Sequence, residues 1–473
     1  MTKSKPKVDL TQGPIFVRIF LFVIPIILTG VLQVAYNMAD NIVVGQFSGD
    51  PDALAAVGST SSLTTLIVNV MISFAAGASA VIAQFYGAKN EQEVSKSVHT
   101  AMLFSVIGGI IFMAVGLVVA RPMLVLMGTK ADILDKAILY MSIICLGIPA
   151  SAIYNFGAAV LRSSGDSKTS LYILAASGII NVAFNLVFVL VFGMAVDGVA
   201  TATIISQYIS AVAVVIVLFK RKGEAYALSL KKLKIEMRLL GRILRFGLPI
   251  AIQSSLFSIS NIVVSSAVNT FPKTTVSAKT IAFNVEGITY TAMNSFSHAA
   301  ITFVGQNYGA KKHRRINKIF LYLILQVTAV GILVAQTEIL FGRQLASLYI
   351  DAADPNKEII INTVLEIFNV MLSVYFLCGI MEVISSALKA IGYSVTSMVA
   401  SLTGLALRIS WILFVTPKMH TIFGLFISYA ISWIATILLL GGCCIYVWRK
   451  QGIWKGAKEE KLLEKNEKIL ELK

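Results

Sequence analysis

Five long stretches of the chain contain no Asp, Glu, Lys or Arg: Ile19–Ala39, Val98–Ala120, Ala137–Leu161, Gly198–Phe219 and Met419–Trp448. Each exceeds the roughly 20 residues that carry a helix across about 30 Å of hydrocarbon. None alternates apolar and polar residues over the ten or so positions of a barrel strand. The pattern predicts about twelve membrane-spanning helices, near 16–40, 53–85, 97–120, 137–161, 169–192, 197–219, 246–270, 277–306, 318–341, 359–388, 394–416 and 420–447. Nothing at the N-terminus reads as a cleaved signal, because the first apolar stretch has full spanning length and no small-residue cleavage site follows it.

Composition agrees with lipid as the solvent. Hydrophobic residues make up 57% of the 473 and charged ones 14%, and the mean hydropathy is +0.81. Forty Lys and Arg against 24 Asp and Glu leave a net charge of +16. With the N-terminus in the cytoplasm, roughly thirty of the forty fall in cytoplasmic segments and about eight outside, as the positive-inside rule requires. The charge is therefore topology. Basic residues spread over short loops form no stripe for nucleic acid. The expected place is the cell membrane, with multiple passes and both termini cytoplasmic.

A hexapeptide repeats across this apolar background. "QFYGAK", Gln84–Lys89, returns as "QNYGAK", Gln306–Lys311, a shift of 306 − 84 = 222. "FVIP" ending at Pro25 matches "FGLP" ending at Pro249, shifted by 224, and "LRSSGDSKTS" from Leu161 matches "LKAIGYSVTS" from Leu388, shifted by 227. Gly198 and Ser206 match Gly424 and Ser432, both shifted by 226. Six spans separate each pair, and an even number keeps matching motifs on one membrane side. The halves are then parallel repeats about an axis along the membrane normal, an arrangement found in alternating-access transporters. The expected fold is all-α and polytopic: two six-helix lobes, pseudo-two-fold related, with a central cavity. Residues 1–222 form the N-terminal lobe, 223–245 a basic cytoplasmic linker, 246–450 the C-terminal lobe and 451–473 a charged cytoplasmic tail. In each "QxYGAK" the Gly is expected to let the chain turn, the Lys to meet headgroups, and the Gln to satisfy helix-end carbonyls.

In the linker, "LKKLKIEMRLLGRILRFG" from Leu230 puts Arg238, Arg242 and Arg245 on one side and Leu233, Leu240 and Leu244 on another, as in an interfacial helix anchored to lipid headgroups. The tail "EEKLLEKNEKILELK" reads as a solvated helix. Cys145, Cys378, Cys443 and Cys444 all lie in spans without metal spacing, so they read as packing residues. No Ser-His-Asp or zinc constellation occurs, and no cofactor is implied. An enzyme is not expected.

The six plus six spans, a Pro in the first span of each half, "YGA" closing the second, "LRSSGDS" with its counterpart "LKAIGYS", and Asp40 in "YNMADNIVVGQ" together resemble the multidrug and toxic compound extrusion family, over about Phe16 to Arg449. "ALAAVGSTSSL" from Ala53 and "NVEGITYTAMNSF" from Asn284 resemble its bacterial branch. The resemblance implies an antiporter that exports hydrophobic, often cationic compounds in exchange for H⁺ or Na⁺.

Coupling needs a group that changes charge or coordination within the membrane. Asp40 is the first candidate, because a buried carboxyl can bind a proton on one side and release it on the other. Position 40 ends a charge-free run, so the residues alone equally allow an interfacial carboxylate reaching water. The resemblance implies a pocket that joins the first-span Asp to a fifth-span Asn, an Asp four residues on, and a sixth-span Thr. Here Asn181 and Thr203 fit, and Asn185 replaces the carboxylate. One fewer anionic oxygen disfavours a hard cation such as Na⁺ and leaves proton coupling through Asp40 intact.

The second half carries Glu286, Glu382 and Arg408 inside spans, each costly in hydrocarbon unless paired or facing a cavity. Asn284, Glu286, Tyr290 and His298 lie along a polar side of the eighth span and are expected to line a substrate cavity. Arg408 is expected to pair with one glutamate, leaving the other to attract cations, with aromatics adding cation–π contacts. The leading reading is an H⁺-coupled, or Na⁺-coupled, exporter of small molecules, working as a monomer among membrane lipids. A lipid-linked oligosaccharide flippase is the alternative and would call for a cavity rich in Arg and Lys for pyrophosphate. A membrane-embedded transferase would need catalytic residues clustered at one face, and none are present.

Overall fold

The computed structural model describes residues 9–48, 50, 52–350, 354–460 and 462. Among them no strand occurs, and fifteen α-helices follow one another. The first half holds α1 (Ile15–Phe47), α2 (Ala53–Gly87), α3 (Glu91–Leu126), α4 (Ala131–Ser163), α5 (Lys168–Leu186) and α6 (Val196–Lys220). The second holds α7 (Met237–Val268), α8 (Lys273–Gly309), α9 (His313–Leu340), the short α10 (Gly342–Ser347), α11 (Lys357–Met371), α12 (Phe376–Ala390), α13 (Ser394–Phe414), the one-turn α14 (Thr416–Met419) and α15 (Ile422–Lys450).

Ten of these helices are long and apolar enough to cross a membrane. Helices α11 and α12 qualify only as a pair, bent by 41° where the chain breaks into a 3₁₀ turn at Leu372–Val374. The span expected as one piece at 359–388 is thus two. The twelfth, α8, has 37 residues but is not among the apolar ten, because Asn284, Glu286, Ser295 and His298 interrupt it. Helix α1 runs seven residues beyond its expected end, which places Asp40 inside a helix and not at its edge.

The chain forms two compact units, Ile24–Ala251 and, separately, Leu10–Val23 with the chain from Ile252 onward. This differs from the expected division at 222 and 246 by two exchanges. The first turns of α1 pack with the second half, and the first turns of α7 pack with the first half. Both changes of unit fall within two residues of a helix-interior proline, Pro25 or Pro249, where the missing amide interrupts the helix ladder.

In the first unit, the start of α7 is fixed by close contact. A Cβ on Gly77 of α2 would lie 2.6 Å from the Gly247 backbone nitrogen, so the two helices touch through bare backbone. Arg242 donates to Gln84 Oε1 and its guanidinium lies 4.8 Å from the Phe85 ring centre, while Arg238 pairs with Glu93. The expected interfacial helix from Leu230 is therefore not a separate element: residues 230–232 form a 3₁₀ turn, and the three arginines ride on α7. The connection before α7 is held to α3, where His99 Nε2 accepts from Ser229 N at 3.0 Å and Thr100 Oγ1 from Glu236 N at 3.1 Å. On the opposite end of the unit, Lys136 holds Asp50 at 2.7 Å and Asp52 at 3.0 Å. That hydrogen bond keeps the Asp50 carboxyl below the usual carboxylate range, so the tie is present at neutral pH and fades only as pH falls through the depressed value.

The repeat is visible as repeated geometry. The glycines of "QxYGAK" stay helical. Lys89 and Lys311 instead take the left-handed conformation, each with φ +56°. Asn90 N bonds to Phe85 O at 3.1 Å and Lys89 N to Tyr86 O at 3.1 Å; Lys312 N bonds to Asn307 O at 2.9 Å and Lys311 N to Tyr308 O at 3.0 Å. These are matching Schellman closures, normally completed by Gly. A second matched pair, Gly165 (φ +93°) and Gly392 (φ +100°), closes α4 and α12.

One end breaks the match. Asn90 caps α3 by accepting from Glu93 N at 3.1 Å, but its counterpart before α9 is Lys312, which has no acceptor. The free amides of α9 are taken by the tail: Glu460 accepts from His313 N at 2.8 Å and Arg314 N at 3.1 Å. Residues 453–460 are helical, Ile453 is fully buried, and Gly456 sits against His313. Residues 453–456 are thus docked ahead of the expected solvated helix, 459–473, of which Glu459 and Leu462 are exposed and Glu460 is half-buried; 461 and 463–473 lie outside the described residues.

A helix cap contributes about 1 kcal/mol. Glu460→Ala should therefore lower the thermal unfolding midpoint by about 2–4 °C, and Lys312→Asn in the same chain should restore it by supplying the cap that Asn90 gives α3. An unchanged midpoint in Glu460→Ala would show that the tail contributes no cap.

Candidate functional site

The first unit gathers the four residues expected to couple transport. Asn181 and Asn185 stand one helical turn apart on α5, which puts both on one face, and both are buried at 4% and 0% exposure. Thr203 faces them from α6, and Asp40 enters from α1. Asn185 Nδ2 donates to Asp40 Oδ1 at 2.5 Å and to Asn181 Oδ1 at 3.4 Å. Thr203 Oγ1 lies 3.3 Å from Asp40 Oδ2 and accepts from Asn181 Nδ2 at 3.4 Å. It also lies 2.9 Å from Val199 O. A hydroxyl has one proton to give, and the shorter contact is the one to Val199. Asp40 Oδ2 is therefore poorly supplied with donors. No cation pairs with Asp40 among the described residues.

Beside these groups lies a cavity of about 120 Å³, lined by Gln33, Tyr36, Asp40, Asn155, Ser177 and Gln207 among others. Apart from Asp40 these polar neighbours were not expected from the sequence, although Gln33, Tyr36 and Asn37 keep one-face helical spacing with Asp40 at the end of a charge-free run. Tyr36 donates to Ala175 O at 3.2 Å, and its ring occupies the space above Gly178, where a Cβ would come within 1.8 Å of Tyr36 Cζ. Glycine at 178 is what lets α1 approach α5.

The second unit holds the other expected residues. Tyr375 donates to Glu286 Oε1, and Ser297 Oγ to Glu382 Oε2 at 3.3 Å. Arg408, only 1% exposed, reaches neither glutamate. It donates to Ser432 Oγ through Nε at 3.1 Å and Nη2 at 2.9 Å, and stacks 4.0 Å from the Tyr429 ring centre and 5.3 Å from that of Phe257. The expected ion pair is replaced by a hydroxyl and two π faces, which disperse the charge without an anion. Tyr290 is exposed at 44%, Asn284 is exposed, and His298 is half-buried. Two buried ionisable residues of this unit were missed from the sequence: Glu338 on α9 and Lys389 on α12, each 5% exposed. Both sit near the end of an apolar run, where length and hydropathy give no sign of burial. No group of three His, Cys, Asp or Glu suited to a metal occurs among the described residues.

Comparison with known proteins follows the same outline. The MatE family model matches the chain twice, over residues 25–187 and 249–413. The chain is 28% identical over 463 residues to the probable multidrug resistance protein YoeA of Bacillus subtilis, covering 95% of this chain and 96% of that protein. It is 23% identical to the FAD transporter of Shewanella oneidensis, covering 89% and 91%. A solved structure described as the outward-facing conformation of a multidrug resistance MATE family transporter superposes with a TM-score of 0.85 over 94% of this chain and 100% of that one, at 21% identity.

The closeness of α1 and α5 is testable. Gly178→Ala should push the Tyr36 ring away and destabilise the protein by about 1–3 kcal/mol, and Tyr36→Ala in the same chain should recover part of the loss in thermal unfolding. Equal stability of Gly178→Ala and the parent would contradict the contact.

Proposed function

Because this chain belongs to the MatE family of multidrug and toxic compound extrusion transporters, a group of multi-pass membrane proteins and not of enzymes, we propose that it exports small hydrophobic, often cationic compounds in exchange for protons bound at Asp40. One observation carries the proposal: Asp40 meets only neutral donors, and Oδ2 lacks a strong one. A proton on Oδ2 neutralises the site without leaving a buried charge. An ionised Asp40 must draw more heavily on Asn185 and Thr203, which pulls α1 towards α5 and α6. Thr29 Oγ1 already bonds to Pro25 O at 2.7 Å, a back-bond that favours a bend at the proline. Gain and loss of the proton can thereby bias α1 between bent and straight forms.

Asn185 supports H⁺ over Na⁺. Its amide nitrogen already donates to Asp40, so this residue presents a donor where a cation would want a second anionic oxygen. The flippase reading is not favoured: the second unit carries the half-buried acids Glu286 and Glu382 and the buried Glu338, an unsuitable lining for a pyrophosphate. Glu286 and Glu382 have hydroxyl donors and pair with no Lys or Arg among the described residues, and we assign them to attracting substrate cations. We assign both termini to the cytoplasm, the orientation that the distribution of Lys and Arg favours.

Vesicles with an imposed pH gradient decide the coupling. Asp40→Asn should bind substrate normally but lose gradient-driven export at least about tenfold, a loss of ~1.4 kcal/mol in driving the rate-limiting step; normal export would defeat the mechanism. Asn185→Asp should add a carboxylate and make export respond to a Na⁺ gradient. Glu286→Gln or Glu382→Gln should weaken export of cationic compounds more than of neutral ones, and equal losses would reject an electrostatic role.

A further inference from the structure

Glu338 has no place in the mechanism above, yet it is the most isolated carboxyl group described in the second unit. It lies on α9 at 5% exposure, and both carboxyl oxygens are fully buried without a hydrogen-bond partner. It forms no ion pair among the described residues. Beside it is Thr289 of α8, fully buried, whose hydroxyl also lacks a partner at full hydrogen-bond geometry. The charged group that acts on it is Glu286, three residues before Thr289 on the same helix and already engaged by Tyr375. Leu333 and Leu340 of α9 are exposed at 68% and 74% on the outside, so Glu338 points inward.

Packing alone does not call for an acid here. By the repeat offset its counterpart is Gly116 (338 − 222 = 116), and that of Thr289 is Ile67 (289 − 222 = 67). The first unit fills the equivalent ground with apolar atoms. An ionised carboxylate at 338 would be a buried charge with no counter-ion among the described residues and at most Thr289 to donate to it, an arrangement that proteins avoid. With a proton it becomes a donor, and the unpartnered Thr289 oxygen is there to accept.

We propose that Glu338, with Thr289 as its hydrogen-bonding partner and Glu286 as its electrostatic neighbour, is a second proton-binding site, separate from Asp40. The ionisable groups along the elements packed on α9 are Lys273, Lys279, Glu286, Tyr290, His298 and Tyr308 of α8, Tyr375, Cys378, Glu382 and Lys389 along the turn before α12 and α12 itself, and Arg343, Lys357, Glu358 and Glu366 of α10 and α11. Arg343 and Glu358 neutralise each other at 3.0 Å in the exposed connection. Glu286 is the one whose charge reaches Glu338. The two carboxyls therefore titrate as a pair, and releasing the proton from one makes release from the other harder. The site requires no new ion: it binds a proton when the outer medium supplies one and loses it when α8 and α9 admit water.

Infrared difference spectra of the full-length protein in nanodiscs, taken between acid and alkaline pH in Na⁺-free buffer, read the site without transport. The parent should show a protonated-carboxyl stretch that titrates. Asp40→Asn should keep the component due to Glu338, and adding Glu338→Gln to Asp40→Asn should remove it from the spectrum. Thr289→Val should keep it but shift it to higher frequency, as loss of a hydrogen bond requires, and this variant serves if Glu338→Gln does not fold. An Asp40→Asn spectrum that adding Glu338→Gln leaves unchanged, or one with no component that titrates, overturns the proposal. So does a component that Na⁺ addition abolishes at constant pH, which would make the site an alkali-cation site. Failure of Asp40→Asn to stop export would leave this result unaffected, so the two assignments stand or fall separately.

Discussion

A carboxylate inside a bilayer has no water to share its charge, and where such groups find their hydrogen bonds governs the rest of this molecule. The described ion pairs lie in loops and helix ends: Lys136 with Asp50 and Asp52, Arg221 with Asp166, Arg238 with Glu93, Arg343 with Glu358. Within the spans the rule changes. Asp40, Glu286 and Glu382 are met by amides and hydroxyls, Arg408 by a serine and two rings. A mutual ion pair would fix both partners in one charge state. Neutral partners leave each acid free to exist with or without its proton, at the expense of stability in the ionised form.

The repeat supplies the scaffold, and its departures supply the chemistry. Helix closures match across the halves down to a left-handed lysine in each. The acids do not: the residue related to Asp40 by the 224-residue shift is Val264, fully buried. Conversely, Glu338 corresponds to a glycine and the cap Asn90 to Lys312. Two copies of one unit have thus been differentiated at a few positions without disturbing the backbone that holds them.

How much of this could be read from the chain depended on the range of the interaction. Span positions, repeat offset and the grouping of Asp40, Asn181, Asn185 and Thr203 were legible, because helical periodicity and a motif resemblance both act on residues in known order. The eighth span was legible as a polar stripe although its hydropathy is weak. What failed was contact between distant segments. Arg408 seemed to need a carboxylate because sequence records charges but not ring faces, and Glu338 seemed ordinary because only tertiary packing seals it. The turn at "QxYGAK" was located correctly but given to the glycine, when the glycine in fact ends the helix and the left-handed position falls two residues further, on lysine. Such a residue costs about 1–2 kcal/mol relative to an unstrained one, a price that local propensity would not predict.

The exchange of helix beginnings has a consequence for how the chain is made. Leu10–Val23 leave the ribosome first, yet the residues they pack with, such as Phe303 against Phe22 and Gln326 bonding to Phe16 O at 2.7 Å, emerge some 280 to 310 residues later. The first half likewise stays open until Gly247 arrives to meet Gly77. That unit can close once residue 251 has emerged, with the polar stripe of α1 already seated against α5 and α6. The nascent chain must then hold the first turns of α1 unseated in the bilayer until the second half is inserted; completion of the second unit is the late event in biosynthesis.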